Sequence, residues 1–354
     1  MDEHIIEARK EYSKLSNLSR AQAKRGECIW CGKKITRFCN SHSIPQMVLE
    51  NIDTDGKVDY FNTIVKIPLI NEDKGIGEAG TFKLICKECD NRIFQDYENP
   101  KKLCLLPNER MLEEIALKNM LVMLNKRFYE IELYSNMQKK YHMQFPYMQK
   151  QEVNGLDERD YFWNFNRIRK MMESEEGESK FCLFYWKKLE YKIPIAFQGA
   201  IALHGDLEGQ IITDIYNKSE DMIIKNMHIC MFPLERESVV FAFYHEDDHE
   251  YDNFKNQFLA LEEEEKLSLL SYLVYEHSED MIFAKKFPHR TWLINRVRET
   301  FMDTTEIGGF SLKMVEIQKN KNLMKLKYRD KTFPNILDRK FSIKDCSMHI
   351  EENI

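Results

Sequence analysis

Two short stretches decide how this chain is read: Cys28-Ile29-Trp30-Cys31-Gly32 and Cys86-Lys87-Glu88-Cys89. A two-residue spacer lets a tight turn aim two thiolates at one ion, and zinc wants four soft, deprotonated ligands in a tetrahedron. The glycine after Cys31 suits such a turn because it adopts positive φ at no steric cost. The second pair runs straight into a helical pattern at residues 90–97, so a helix would supply the last ligand from its first turn. The expectation is one structural Zn2+ per chain, held by Cys28, Cys31, Cys86 and Cys89, stapling a small domain. Unrelated cysteines or a redox pair are the bland alternative. The intervening residues 32–85 exceed the spacing of a compact zinc ribbon, so that loop must hold something of its own.

The rest of the composition narrows the class. A chain of 354 residues is enough for about two domains. With 43% hydrophobic and 31% charged residues, and only 13 Gly and 9 Pro, it is no collagen, repeat array or disordered chain, and a helix-rich mixed fold is favoured. The longest apolar runs, residues 181–186 and 239–244, fall far short of the roughly 20 residues that span a bilayer. The first residues, MDEHIIEARKE, are acidic and do not read as a signal peptide, and nine cysteines is an odd number for a disulfide framework. A cytoplasmic protein without a membrane partner is the expectation.

The loop between the cysteine pairs contains Asn40-Ser41-His42-Ser43-Ile44-Pro45. Cys-x-x-Cys, a His-x-x-Pro element in a β-hairpin, then Cys-x-x-Cys entering a helix is a layout in which residues 25–100 resemble the zinc-stapled HNH endonucleases of the His-Me finger, or ββα-metal, superfamily. The resemblance implies that His42 is the general base, taking a proton from the water that attacks phosphorus. Neutral imidazole suits that task, with an ordinary pKa near 6.5. It also implies Mg2+ or Mn2+ against the scissile phosphate, ligated from the helix by Asp90 or Asn91. Ser41 stands where many members carry Asp, and Asp90 where His or Asn is common. Glu98, about 12 Å further along a helix, reads as a salt-bridge partner and not a second ligand. For His42 the alternative roles are a zinc ligand or a satisfied structural histidine. Cys39 reads as a small buried hydrophobe or a substitute thiolate.

Charge points to a nucleic-acid partner. Lys14, Arg20, Lys24, Arg25, Lys33, Lys34 and Arg37 face a single acid, Glu27, so the net charge of −6 divides into +6 for residues 14–37 and −12 elsewhere. Lys33, Lys34, Arg37 and Arg92 are the candidate phosphate contacts, and residues 325–331 read as a strand with a basic face around Tyr328. Two further motifs lack the required context. Gly75-Ile-Gly77-Glu-Ala-Gly80 is preceded by a polar loop and not by a strand. His245-Glu-Asp-Asp-His249 follows a strand and carries two central aspartates, which leaves a zinc protease as the third reading.

Element signals are a helix at residues 2–24 and a helix capped by Asn108. Strands follow at 181–186, 193–203 and 210–215, with a turn at 204–209 between the last two, and a hairpin at 227–232 and 238–244. Helices come last, at 253–277 and 290–301. The fold class is α+β: a treble-clef-like zinc/HNH domain at residues 1–104, then a mixed helix and antiparallel-strand domain at 105–354 whose residues 105–175 read as a helical connector. The function expected is a metal-dependent nuclease acting on DNA or RNA, in a defence or toxin setting that only the resemblance implies. The competing class is a non-catalytic zinc-finger protein binding nucleic acid or protein. In either case the C-terminal domain is free to bind a protein partner or a second copy of the chain.

Overall fold

The computed structural model describes residues 3–35, 38–62, 73–142, 147–174, 180–219, 221–278, 280–303 and 312–343. In chain order these form α1 (Glu3–Gln22), β1 (Ser41–His42), α2 (Gln46–Leu49), β2 (Lys57–Asn62), β3 (Asp73–Gly75), β4 (Thr81–Phe82), α3 (Lys87–Ile93), α4 (Pro100–Leu103), α5 (Glu109–Tyr141), α6 (Tyr147–Glu173), β5 (Phe181–Leu189), β6 (Ile195–Ile201), β7 (Met227–Pro233), β8 (Ser238–His245), α7 (Asp252–Leu259), α8 (Glu263–His277), β9 (Asp280–Phe283), α9 (Arg290–Asp303) and α10 (Leu312–Leu323). The class is α+β with antiparallel sheets. No helix among the described residues is long and apolar enough to cross a membrane.

A seven-stranded sheet, in the order β3-β2-β9-β6-β7-β8-β5, forms the middle layer. Its β7–β8 hairpin pairs from Met227 with Tyr244 to Pro233 with Ser238. Both strands are buried along their whole length, which explains why they read as continuous apolar runs. Side chains alternate between faces along a strand. Cys230, Phe232, Val239, Phe241 and Phe243 join one core with α5, α6 and the cysteine-rich unit. Ile229, Met231, Val240, Ala242 and Tyr244 join the other with α7, α8 and the C-terminal residues. The sheet is continuous across residue 104, because β2 pairs with β9 from Asp59–Phe283 to Asn62–Asp280.

Local signals are visible where they predict elements well. Asn108 caps α5, its side-chain oxygen accepting from the Met111 N–H at 2.8 Å. The long helical pattern at 253–277 is two helices. Glu262 is extended, and Glu263, Glu264 and Glu265 fill the first turn of α8, where negative charge meets the positive end of the helix dipole. Residues 210–215 make one isolated bridge, Gly205 to Ile211, and no strand. Residues 324–331 are turns and not the basic strand expected. Leu326 alone is buried there, Tyr328 is 74% exposed, and the Tyr328 N–H closes a helical turn on the Met324 carbonyl at 3.0 Å. Met324, Leu326 and Tyr328 alternate as one strand face would, but no strand pairs with this run, and its backbone closes helical turns instead.

The His-x-x-x-His run does not lie on a helix. His245 ends β8, and His249 opens a 3-10 turn with its side chain exposed, so the two histidines share no helical face.

Candidate metal centre

The first cysteine pair sits in a closed turn. The Cys28 N–H donates to the Lys33 carbonyl at 2.9 Å and the Gly32 N–H to the Cys28 carbonyl at 2.8 Å, with Gly32 in the left-handed region at φ +67°. The second pair opens α3: Cys86 is its extended N-cap, and the Asp90 N–H bonds the Cys86 carbonyl at 2.9 Å. Two links join the pairs, Ile29 N–H to the Leu84 carbonyl at 3.0 Å and Cys86 N–H to the Cys28 sulfur at 3.3 Å. An N–H donated to sulfur favours the thiolate.

The four sulfurs all lie within 4.8 Å of one another, with Cys31 and Cys86 at 3.9 Å. A regular tetrahedron with Zn–S bonds of about 2.3 Å places sulfurs about 3.8 Å apart, so the donor set fits zinc. Cys28, Cys86 and Cys89 are buried. Burial pushes the Cys28 and Cys89 thiols up, whereas the Lys33 backbone N–H helps bring Cys31 down to about 7. A divalent ion resolves this conflict by replacing the protons. Among the described residues this is the one cluster of three or more His, Cys, Asp or Glu able to hold a metal.

The His-x-x-Pro element lies beside it. β1 pairs with β4, Ser41 opposite Phe82 and His42 opposite Thr81, and α3 follows directly, giving a strand–strand–helix unit. His42 Nε2 is 3.1 Å from the Ile76 carbonyl. A carbonyl only accepts, so Nε2 carries the proton and Nδ1 keeps its lone pair. Burial holds the imidazole below its ordinary pKa, hence neutral.

Asp90 is engaged on both oxygens. Ser41 Oγ donates to Oδ1, and the Cys39 thiol donates to Oδ2 at 3.6 Å. Lys118, a fully buried residue of α5, brings its ammonium to 3.7 Å from Asp90 Oδ1 and 2.6 Å from Glu98 Oε1. The same Nζ lies 3.8 Å from the centre of the Phe94 ring. Because α3 ends at Ile93, the chain turns back and one cation touches both Asp90 and Glu98, which a straight helix would hold apart. One turn earlier on α5, Glu114 accepts from the N–H groups of Asp96 and Tyr97 at 3.0 and 2.9 Å, fixing this turn against the helix.

The other expected contacts scatter. Asn91 and Arg92 are exposed on α3, away from this cluster's buried side, with the Asn91 carbonyl accepting from Gln95. Lys33 pairs with Glu88 at 3.0 Å on the surface, Lys34 is exposed, and Arg37 lies outside the described residues. Within the basic N-terminal stretch Lys14, Arg20, Lys24 and Arg25 are all exposed, with Arg25 over Phe128 at 4.1 Å and Arg20 over Tyr129 at 5.3 Å. Lys118 escaped the sequence reading, although a single lysine inside the run Ile115-Ala-Leu-Lys118-Asn-Met-Leu-Val is a signal of a buried, paired cation. Compared with models of protein families, with curated proteins and with solved structures, the chain matches none.

Proposed function

We propose that residues 25–100 form a zinc-stapled, HNH-like scaffold that binds nucleic acid without cutting it. The observation that carries this reading is the buried Lys118 ammonium between Asp90 and Glu98. In an HNH nuclease the helix residue at Asp90's position would face a divalent cation. Here that carboxylate is taken by Ser41, Cys39 and Lys118. Lysine supplies the positive charge but no open coordination position for a phosphate oxygen. Magnesium prefers near-octahedral oxygen ligation. This donor set, filled by an ammonium, does not fit Mg2+ or Mn2+. The exposed Lys24 and Lys34, which flank the first cysteine turn in the chain, support a phosphate-bearing partner, since Lys neutralises phosphates and releases counterions.

One observation favours phosphodiester hydrolysis as the second reading. His42 is anchored through Nε2 on the Ile76 carbonyl, which leaves a neutral Nδ1 as a base.

Elemental analysis, binding and cleavage assays on the full-length protein separate the two. The binding reading expects about one zinc per chain. It also expects oligonucleotide binding, no cleavage with added Mg2+ or Mn2+, and loss of both zinc and binding in Cys86→Ser. Cleavage that disappears in His42→Ala with zinc and fold intact would hand the site to the hydrolytic reading.

A further inference from the structure

A second basic region lies at the other end of the chain. Residues 285–296, KKFPHRTWLINR, carry four Lys or Arg and no acid, and residues 319–331, KNKNLMKLKYRDK, carry six against one acid. Tertiary contacts draw the two together. Arg296 of α9 pairs with Asp330 at 3.0 Å and lies over the Phe333 ring at 5.9 Å. Trp292, one helical turn before Arg296, lies parallel to Phe341 with ring centres 6.2 Å apart.

Part of the basic charge is spent inside the molecule and anchors this face. Arg290 pairs with Asp59, Lys285 with Asp73, Lys319 with Asp214 and Lys325 with Glu276. Another part stays at the surface: Lys286, Lys321, Lys327 and Lys331 are exposed. Two large aromatics of the same two segments are exposed, Trp292 at 55% and Tyr328 at 74%, and Lys327 lies over the Tyr328 ring at 5.7 Å. An open aromatic surface next to lysines has the two components that a single nucleic-acid strand engages: a π-face for an unstacked base and positive charge for the phosphates. A duplex keeps its bases stacked and would use the lysines alone.

We propose that α9 and residues 319–341 form a docking face for single-stranded nucleic acid, with bases stacking on Trp292 and Tyr328 and phosphates on Lys327, Lys331 and Lys286. It rests on the nucleic-acid-binding reading and assigns that partner a strandedness and a second contact site.

Fluorescence anisotropy on the zinc-loaded, full-length protein tests it, with labelled oligo-dT, oligo-rU and duplex probes of about 20 nucleotides, long enough to cover a strand-binding face. The single strands should bind in preference to the duplex. Trp292→Ala and Tyr328→Ala should each weaken that binding about tenfold, and Trp292→Phe should retain most of it. Lys327→Glu and Lys331→Glu should each flatten the dependence of log affinity on log salt by about one unit. Zinc content and melting temperature control for folding; Tyr328 is too exposed for its loss to unfold the chain. If the wild type binds but both aromatic variants match it, while Lys24→Glu or Lys34→Glu weakens binding, this face is not the site and the N-terminal reading survives. If no probe binds at low salt, both fall. Binding to anionic vesicles but to no oligonucleotide, lost in Trp292→Ala, would make the face a membrane contact and overturn the proposal.

Discussion

Replacing Lys118 tests the ion cluster that separates a binding scaffold from a nuclease. Lys118→Met keeps the length of the side chain, so little cavity is created, but it leaves two carboxylates facing each other without their cation. Removing one partner of a buried ion pair costs about 3–5 kcal/mol. The side chains of Lys118, Asp90 and Glu98 are 0%, 13% and 36% exposed, so the solvated Glu98 loses little and the lower end applies. At about 2.1 cal/mol/K of unfolding entropy per residue, a chain of 354 residues has roughly 0.7 kcal/mol/K in all. A loss of about 3 kcal/mol therefore lowers the melting temperature by about 4 °C. Scanning calorimetry at neutral pH reads this directly. A second arm uses Lys118→Ala, which opens the space between the carboxylates. Millimolar Mg2+ or Mn2+ should recover about 1–2 °C of that variant's loss, because a ligand bound only by the folded state stabilises it. The wild type, with its ammonium already in place, should not respond. A Lys118→Met protein melting within about 1 °C of wild type, or a wild type that Mg2+ stabilises as much as the variant, would refute the assignment of Lys118 as the resident cation.

Two other perturbations follow from buried charge. Burial pushes His228 to about 3 and His245 to about 4, so both are neutral when folded and take protons near 6.5 when unfolded. Stability is then full above about pH 6.5 and falls with decreasing pH, by about 1.4 kcal/mol per pH unit for each imidazole. Acid titration followed by circular dichroism should show unfolding above the acid range of ordinary carboxylates; a melting temperature unchanged down to about pH 4.5 would contradict it. Arg167 makes two 2.8 Å contacts to Asp248, whose side chain is 1% exposed. Arg167→Ala should destabilise by about 3–5 kcal/mol in urea unfolding, and Arg167→Lys should recover only part, since an ammonium cannot reproduce the two-pronged contact. A smaller loss in Arg167→Ala than in the paired Arg167→Met, Asp248→Leu change would contradict the charge argument.

Much of the cysteine-rich unit is legible in the sequence. The two Cys-x-x-Cys turns and the helix that the second one enters are local geometry, and local geometry is what spacing encodes. The same holds for the Asn108 cap and the apolar β7 and β8 strands, whose residues need no distant information to be recognised. Alternation misled at residues 324–331, because a period of two says nothing without a neighbouring strand to pair with. Periodicity misled at residues 253–277 as well, where the break at Glu262 is a backbone change that leaves the apolar pattern nearly intact.

The sequence by itself determined the four clustered cysteines, the hairpin histidine and the α+β class, all properties of short segments. The tertiary structure alone decided what surrounds them. Lys118 reaches Asp90 from 28 positions away in the chain, β2 crosses to β9 over more than two hundred residues, and Arg20 and Arg25, still exposed, lie over aromatic rings of α5. The partner of a charge is chosen by packing. A buried ammonium must find carboxylates wherever the fold brings them, whereas an exposed one can stay in water, and nothing in the local sequence distinguishes the two.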